Sequence, residues 1–289
     1  MRTFDGLELD VRTYGPEDVA VSVVLAHCWT LNQEDWHYQV RALQREFGHR
    51  IRIVTWDHRG HGASELAPKS SCTIDNLARD MADVIEQHAP QGRLVLAGHS
   101  IGGMTTMALA EQRPELFDRV VGAVFVATSS GELDTVTLGL PEMGSFLRAQ
   151  IPRMLAFRSR TLTKRARRRA PIIERRVVSR FLFGRPLRLA DAALTVDGII
   201  SCSAATMVGF YEDFMEHDRI DALKVLDGVP TKVLVGSRDV LTPPAHARRI
   251  ADHVEGATLT VVPDAGHMLP LERDELVSET LADLIRPHL

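Results

Sequence analysis

An apolar run, Leu94 to Ala97, leads into Gly98-His99-Ser100-Ile101-Gly102, and a stretch of small and apolar residues, Ile101 to Gln112, follows without a break. A strand that ends in Gly-x-Ser-x-Gly and turns at once into a helix has few ways to fold. The serine must sit on a sharp turn with its own backbone strained, and glycines two residues before and two after it avoid collision there. The turn pushes the hydroxyl clear of the chain. The helix beyond presents unbonded N–H groups and its positive end to any negative charge that develops nearby. A serine hydroxyl is a poor nucleophile until it is exposed, oriented and given a base, so the motif directs attention to a histidine and an acid elsewhere in the chain.

The surrounding pattern supplies a framework. Val21 to Ala26 and Val120 to Ala127 are apolar runs of strand length, as expected of strands covered on both faces, and Ile51 to Trp56 reads as another short buried strand. Leu7 to Tyr14 alternates apolar and polar residues, as a half-buried antiparallel strand does. Between the runs, Gln33 to Phe47 and Ile74 to His88 carry helical apolar spacing, with Thr73 or Asp75 as the cap of the second. The rhythm returns after residue 230: strand over Lys232 to Val235, helix over Pro243 to Val254, strand over Thr258 to Val262, helix from about Arg273 to Ile285. Such alternation predicts an α/β fold, a mainly parallel sheet with helices on both faces.

With 45% hydrophobic residues and a net charge of −4 over 289 residues, disorder is excluded as the dominant state. Three cysteines, at 28, 72 and 202, make no disulfide framework and point to a reducing compartment, the cytoplasm. The first residues carry acids where the apolar core of a signal peptide would lie, and no apolar run has the length of a membrane span.

Two later segments offer the base and the acid. Val262-Pro263-Asp264-Ala265-Gly266-His267-Met268 places a histidine on a loop after a strand. Val233-Leu234-Val235-Gly236-Ser237-Arg238-Asp239 places an aspartate just past another. The order Ser100, Asp239, His267 is that of a nucleophile, acid and base carried at the carboxyl ends of parallel strands. Glu132 and Asp134 are the fallback acids, and Asp264 reads as a loop-shaping residue. One oxyanion donor is expected at the Ile101 N–H and another in the run His27-Cys28-Trp29-Thr30, with Trp29 the choice. The turn Asp57-His58-Arg59-Gly60-His61-Gly62 contains two histidines but no third ligand at sensible spacing, so it reads as structural and no metal is expected.

The segments LAHCWTLNQEDW, VTWDHRGHGAS, LAGHSIGGMTTMALAEQRPE, VLVGSRDVLTPP and VVPDAGHMLPLERDE appear in the order they take in the α/β-hydrolase superfamily. Residues 5 to 130 and 228 to 289 resemble its cap-bearing esterases, lactonases and cofactor-free perhydrolases. The resemblance implies the α/β-hydrolase fold, with a mostly parallel eight-stranded sheet and a helical cap inserted after the sixth strand. The core would comprise residues 1–130 and 216–289 and the cap residues 131–215. It implies Ser100 as nucleophile, Asp239 as acid, His267 as base, Trp29 and Ile101 at the oxyanion hole, and no cofactor. The family usually has His-Gly where this chain has His27-Cys28, a departure that bears on the Trp29 amide. Serine rather than aspartate at position 100 disfavours haloalkane dehalogenase and epoxide hydrolase chemistry.

From Phe146 to Ala190 the chain carries 14 Lys and Arg against one acid, Glu174. Phe146 to Leu155 and Ile172 to Phe183 look helical there, and Ala190 to Phe214 reads as one or two further helices. The run Lys164 to Arg169, with Arg175 and Arg176, is either a solvated surface or a docking face for an anion such as an acyl carrier protein, CoA or an anionic membrane. Nucleic acid ranks below these, because no aromatic residues interleave with the charges. Substrate contacts are expected from Trp29, Thr30, Phe146, Phe210, Val240 and Met268. The resulting expectation is a serine hydrolase cleaving an ester, lactone or thioester of a small-to-medium apolar acyl substrate through an acyl-enzyme. The alternatives are acyl transfer or cyclisation with the same residues, and a ligand-binding protein without turnover.

Overall fold

A computed structural model describes residues 1–133, 150 and 171–289. Its strands are β1 (Val11–Tyr14), β2 (Val21–Ala26), β3 (Ile51–Trp56), β4 (Arg93–His99), β5 (Val120–Val126), β6 (Thr231–Gly236) and β7 (Thr258–Val262). The helices are α1 (His37–Phe47), α2 (Ile74–His88), α3 (Ile101–Gln112), α4 (Ile172–Val177), α5 (Leu189–Ser201), α6 (Ala204–Phe214), α7 (Pro244–His253), α8 (Leu269–Glu272) and α9 (Asp274–Ile285). The strands form one sheet in the order β1-β3-β2-β4-β5-β6-β7, parallel throughout except for β1, which runs antiparallel to β3.

The unbroken apolar runs follow from burial on both faces. Along β4, Leu94 and Leu96 enter one core while Val95 and Ala97 enter the other. Val40, Leu43 and Phe47 of α1 and Val277 and Leu281 of α9 cover the second face. Leu77 and Met81 of α2, Met107 of α3 and Ile250 of α7 cover the first. Thr73, not Asp75, caps α2, accepting from the Asn76 N–H at 3.2 Å.

The expected eight strands are seven among the described residues. Leu7 to Tyr14 pairs with the sheet only over β1, and the chain before it contributes a single antiparallel bridge between Arg2 and Glu8. This edge alternates apolar with charged residues and buries one face at most, which is too little to hold a longer ladder. The large insertion therefore follows β5, the fifth strand here and not the sixth.

The chain passes from β2 to β3 on one side and then returns to β4 on the other. Such a reversal opens a crevice beyond the carboxyl ends of the two central strands, and the Trp29 loop and Ser100 both leave the sheet there. Of the insertion, α4 continues into a π-helical turn, Val178–Leu182. The stretch read as one or two helices is two, α5 and α6, bent by 98° at Cys202-Ser203, with the Ser203 side chain capping α6. Val178, Phe183, Val196 and Ile200 of this segment pack on Cys28, Leu31, Met268 and Leu271 at the crevice. Arg175 and Arg176 are exposed on α4. The expected helix from Phe146 to Leu155 and the run Lys164 to Arg169 lie outside the described residues. Among those described, no single helix is long and apolar enough to cross a membrane.

Candidate active site

Ser100 takes φ 54° and ψ −115°, the strained turn that the motif demands. A Cβ added to Gly98 would stand 2.4 Å from the Gly102 carbonyl, and one added to Gly102 would stand 2.2 Å from the Ala26 carbonyl oxygen. The elbow is pinned from both sides: the Ser100 N–H donates to the Val126 carbonyl at 2.9 Å, and the Thr128 hydroxyl donates to the Ser100 carbonyl at 2.6 Å. The serine is only 9% exposed, and its hydroxyl lies beside the Cys28 thiol.

His267 stands on the loop after β7, with its Nδ1 2.8 Å from Asp239 Oδ2. Asp239 follows β6. Its Oδ1 accepts from the Leu241 and Thr242 N–H groups at 2.9 and 3.0 Å, and its Oδ2 also accepts from the Thr242 hydroxyl at 2.9 Å. Burial pushes this carboxyl up, but His267 and the Thr242 donors outweigh it, and the group is held below its usual range. A carboxylate facing Nδ1 keeps the proton on that nitrogen and leaves the Nε2 lone pair free to act as a base.

The loop after β2 is built around buried polar groups. Asp35 Oδ2 accepts from the Cys28 N–H at 3.0 Å and from His99 Nδ1 at 2.7 Å. His99 Nε2 donates in turn to the His267 carbonyl at 2.9 Å. With an acceptor at each nitrogen, the His99 ring is a double donor. Burial opposes its charge, but Asp35 and the His267 carbonyl outweigh that, and its pKa is raised. Thr30, at φ 66°, donates its N–H to His61 Nε2 at 3.1 Å. The Trp29 N–H meets no acceptor among the described residues, and the Ile101 N–H, first in α3, has no intrahelical one. Both are free to receive an oxyanion.

The other expected residues divide. Trp29 packs edge-to-face on Phe214, with ring centroids 5.2 Å apart, and lies 6.2 Å from Tyr211. Met268 is buried with Cys28 and Leu31 where the insertion meets the crevice, and Val240 is half-buried beside Asp239. Phe210 is fully buried in the core with its ring on His61, so it backs the site and does not line it. Phe146 and Asp134 lie outside the described residues. Glu132 faces Arg249 at 3.7 Å, and its side chain is mostly exposed; Asp239 is the acid that meets His267. Asp264, at φ 57°, pairs with Arg238 and shapes its loop.

The histidine turn is bound into the backbone. His61 Nδ1 faces the Arg59 carbonyl at 3.1 Å, His58 Nε2 faces the His27 carbonyl at 3.0 Å, and the His58 N–H donates to His27 Nε2 at 2.8 Å. Sequence reasoning missed Asp35, His99, Thr242 and Glu272. Asp35 gave no signal, because it stands beside Glu34 in a polar stretch, Asn32 to Asp35.

Comparison with known proteins adds three findings. Residues 23–280 match the model of the Alpha/beta hydrolase family. The chain is 26% identical to an uncharacterised hydrolase, YugF, of Bacillus subtilis over 81% of its own length and 80% of the relative's, and 23% identical to 3-oxoadipate enol-lactonase 2 of Acinetobacter baylyi over 98% and 95%. A thermophilic esterase from Thermogutta terrifontis superimposes with a TM-score of 0.75 at 25% identity, covering 98% of this chain and 95% of that one.

Proposed function

The chain belongs to the alpha/beta hydrolase family, and from that membership we propose that it is a serine hydrolase cleaving an ester, lactone or thioester of a small-to-medium apolar acyl group through an acyl-enzyme. The observation that carries the reading is the His267–Asp239 hydrogen bond of 2.8 Å at the same edge of the sheet as the strained Ser100. An esterase and an enol-lactonase among the similar proteins agree with it, and the aromatic wall of Trp29, Tyr211 and Phe214 suits an apolar acyl chain.

In this mechanism His267 Nε2 takes the Ser100 proton as Oγ attacks the carbonyl carbon. Asp239 holds the ring and stabilises the imidazolium. The Trp29 and Ile101 N–H groups receive the oxyanion, each donor of this kind contributing about 2.7–4 kcal/mol to the transition state. His267 then protonates the leaving oxygen or sulfur, and water activated by the same nitrogen releases the acid.

The test is turnover of short p-nitrophenyl esters by Ser100→Ala, which is expected to fall at least about 10⁴-fold, together with loss of fluorophosphonate labelling. Undiminished turnover in that variant would overturn the reading.

A further inference from the structure

Cys28, His99 and His267 are all buried, and one ligand atom from each lies within 4.8 Å of the other two. Two of the three are available. His267 Nδ1 is backed by Asp239 at 2.8 Å, which leaves Nε2 with its lone pair outward. A carboxylate behind a histidine is the arrangement that orients metal-ligating imidazoles. His99 is committed at both nitrogens, to Asp35 and to the His267 carbonyl, so it has no lone pair to give while those bonds stand. The Cys28 thiol sits beside the Ser100 hydroxyl and makes a long hydrogen bond, 3.5 Å, to the Trp29 carbonyl.

The geometry points to an inhibitory site for a soft divalent cation such as Zn²⁺ or Cd²⁺, bridging Cys28 Sγ and His267 Nε2 across the face of Ser100. Zinc takes sulfur at about 2.3 Å and imidazole nitrogen at about 2.0–2.1 Å. Tetrahedral bonds of those lengths set the two ligand atoms about 3.5 Å apart, within the 4.8 Å that bounds the spacing of the cluster's ligand atoms. Water and the Ser100 hydroxyl fill the remaining positions. Binding releases one proton, Cys28–SH plus M²⁺ giving Cys28–S–M⁺ plus H⁺. A bound cation removes the strong hold of burial on that proton, because a coordinating thiol is deprotonated outright. Hard cations are excluded by ligand type: both Asp239 oxygens are engaged, and sulfur with imidazole selects softer metals. Glycine at position 28, as in the family pattern, would leave only the imidazole. The site is thus a property of this chain's own cysteine, and occupancy would take the base and the space above the nucleophile together.

The experiment is titration of the full chain with CdCl₂, followed by the ultraviolet thiolate-to-cadmium charge-transfer absorption. This readout uses no substrate, so its outcome is separate from that of the hydrolase reading. A band saturating at one equivalent is expected in the wild type and in a Cys72→Ala, Cys202→Ala double variant. Cys28→Ser, which preserves size, and Cys28→Ala should each bind at least about tenfold more weakly, as should His267→Ala, while MgCl₂ should give no change. A band of the same affinity in both Cys28 variants, or one untouched by His267→Ala, would overturn the proposal.

Discussion

Asp35 and His99 share a hydrogen bond of 2.7 Å with neither side chain exposed to solvent. Through it one carboxylate oxygen holds three pieces of the candidate site: the Cys28 N–H directly, the residue before the nucleophile, and, by way of the His99 ring, the carbonyl of His267. The loop that offers the oxyanion donor, the elbow and the base loop are thereby set relative to one another. Asp35→Asn puts an amide donor where two donors already point. Neutralising one member of a buried pair costs about 3 kcal/mol of stability. Because the pair positions groups and does not bind substrate, kcat should fall by up to about 10²-fold with KM little changed. The pH profile supplies a readout specific to the pair. The folded pKa of His99 is raised, so its contribution is fully present below the unfolded value of 6.5 and is lost as pH rises through the folded one. Urea midpoints should show that alkaline decline in the wild type and not in Asp35→Asn.

On the acid side His61 is one contributor, alongside the buried His27, His58 and His217, whose pKa values burial also lowers. Its neutral form accepts the Thr30 N–H, and burial lowers its pKa from 6.5 to about 4. The unfolded chain therefore takes up this proton at higher pH than the folded one. Stability from the neutral ring is complete above pH 6.5, declines as pH falls, and is gone by about pH 4, a change of about 3 kcal/mol. Thr30 adjoins Trp29, so the proposed ester turnover should decay over the same window. His61→Gln keeps an acceptor without a titration, and its urea midpoint between pH 4 and 6.5 is expected to be flatter than that of the wild type. Superimposable profiles would show that the loop does not depend on this ring.

The elbow makes a steric prediction. A methyl group at Gly98 meets the backbone of Gly102 at 2.4 Å, and no side-chain rotation relieves a contact with backbone. Gly98→Ala should cost at least about 1–3 kcal/mol and abolish fluorophosphonate labelling of Ser100. Gly256→Ala, at a surface turn where an added Cβ meets nothing within 4 Å, should lose stability only through its positive φ and should label normally. Thermal unfolding and labelling of the two variants in parallel separate crowding at the elbow from the general cost of replacing a glycine.

How far these features were legible in the sequence follows from where their causes lie. The strands β2 to β5 are mostly apolar because helices cover both sheet faces, and the elbow announces itself through two glycines fixed by backbone contact. Asp239 and His267 stood out by following apolar strands. Asp35 did not, because it lies where Gln33 to Phe47 reads as one helix. In the structure a 3₁₀ turn, Gln33–Trp36, precedes α1, with the Asn32 side chain accepting from the Glu34 N–H, and this turns Gln33 and Asp35 inward. Its partner His99 is 64 residues away, so only tertiary packing joins them. The edge at Leu7 to Tyr14 showed the right alternation, yet periodicity carries no information about how much of a half-buried edge finds a partner. Cys28 was legible as a departure from the family pattern, but its place beside Ser100 was not.

Glu272 ties the insertion to the catalytic loop. Its carboxylate accepts from the Gly184 N–H at 2.7 Å, from Gly266 at 3.0 Å and from Met268 at 3.1 Å, the last two flanking His267. The Leu182 carbonyl, at the end of the π-helical turn, also accepts from the His267 N–H at 2.8 Å, so the two contacts act on the same loop from one side. Glu272→Ala would leave the buried Gly184 and Gly266 N–H groups without their acceptor, at about 1–3 kcal/mol for each that finds no water, and Met268 with only its 3.2 Å bond to the Leu182 carbonyl. Glu272→Gln retains one carbonyl oxygen and opposes the remaining donors with an amide, and should fall between the wild type and alanine. Because the displaced loop carries the proposed base, kcat should fall with stability across this series, whereas Ser100→Ala should abolish turnover with the urea midpoint nearly unmoved. A Glu272→Ala enzyme that loses stability yet keeps its full kcat would show that Asp239, Leu182 and His99 hold His267 without Glu272.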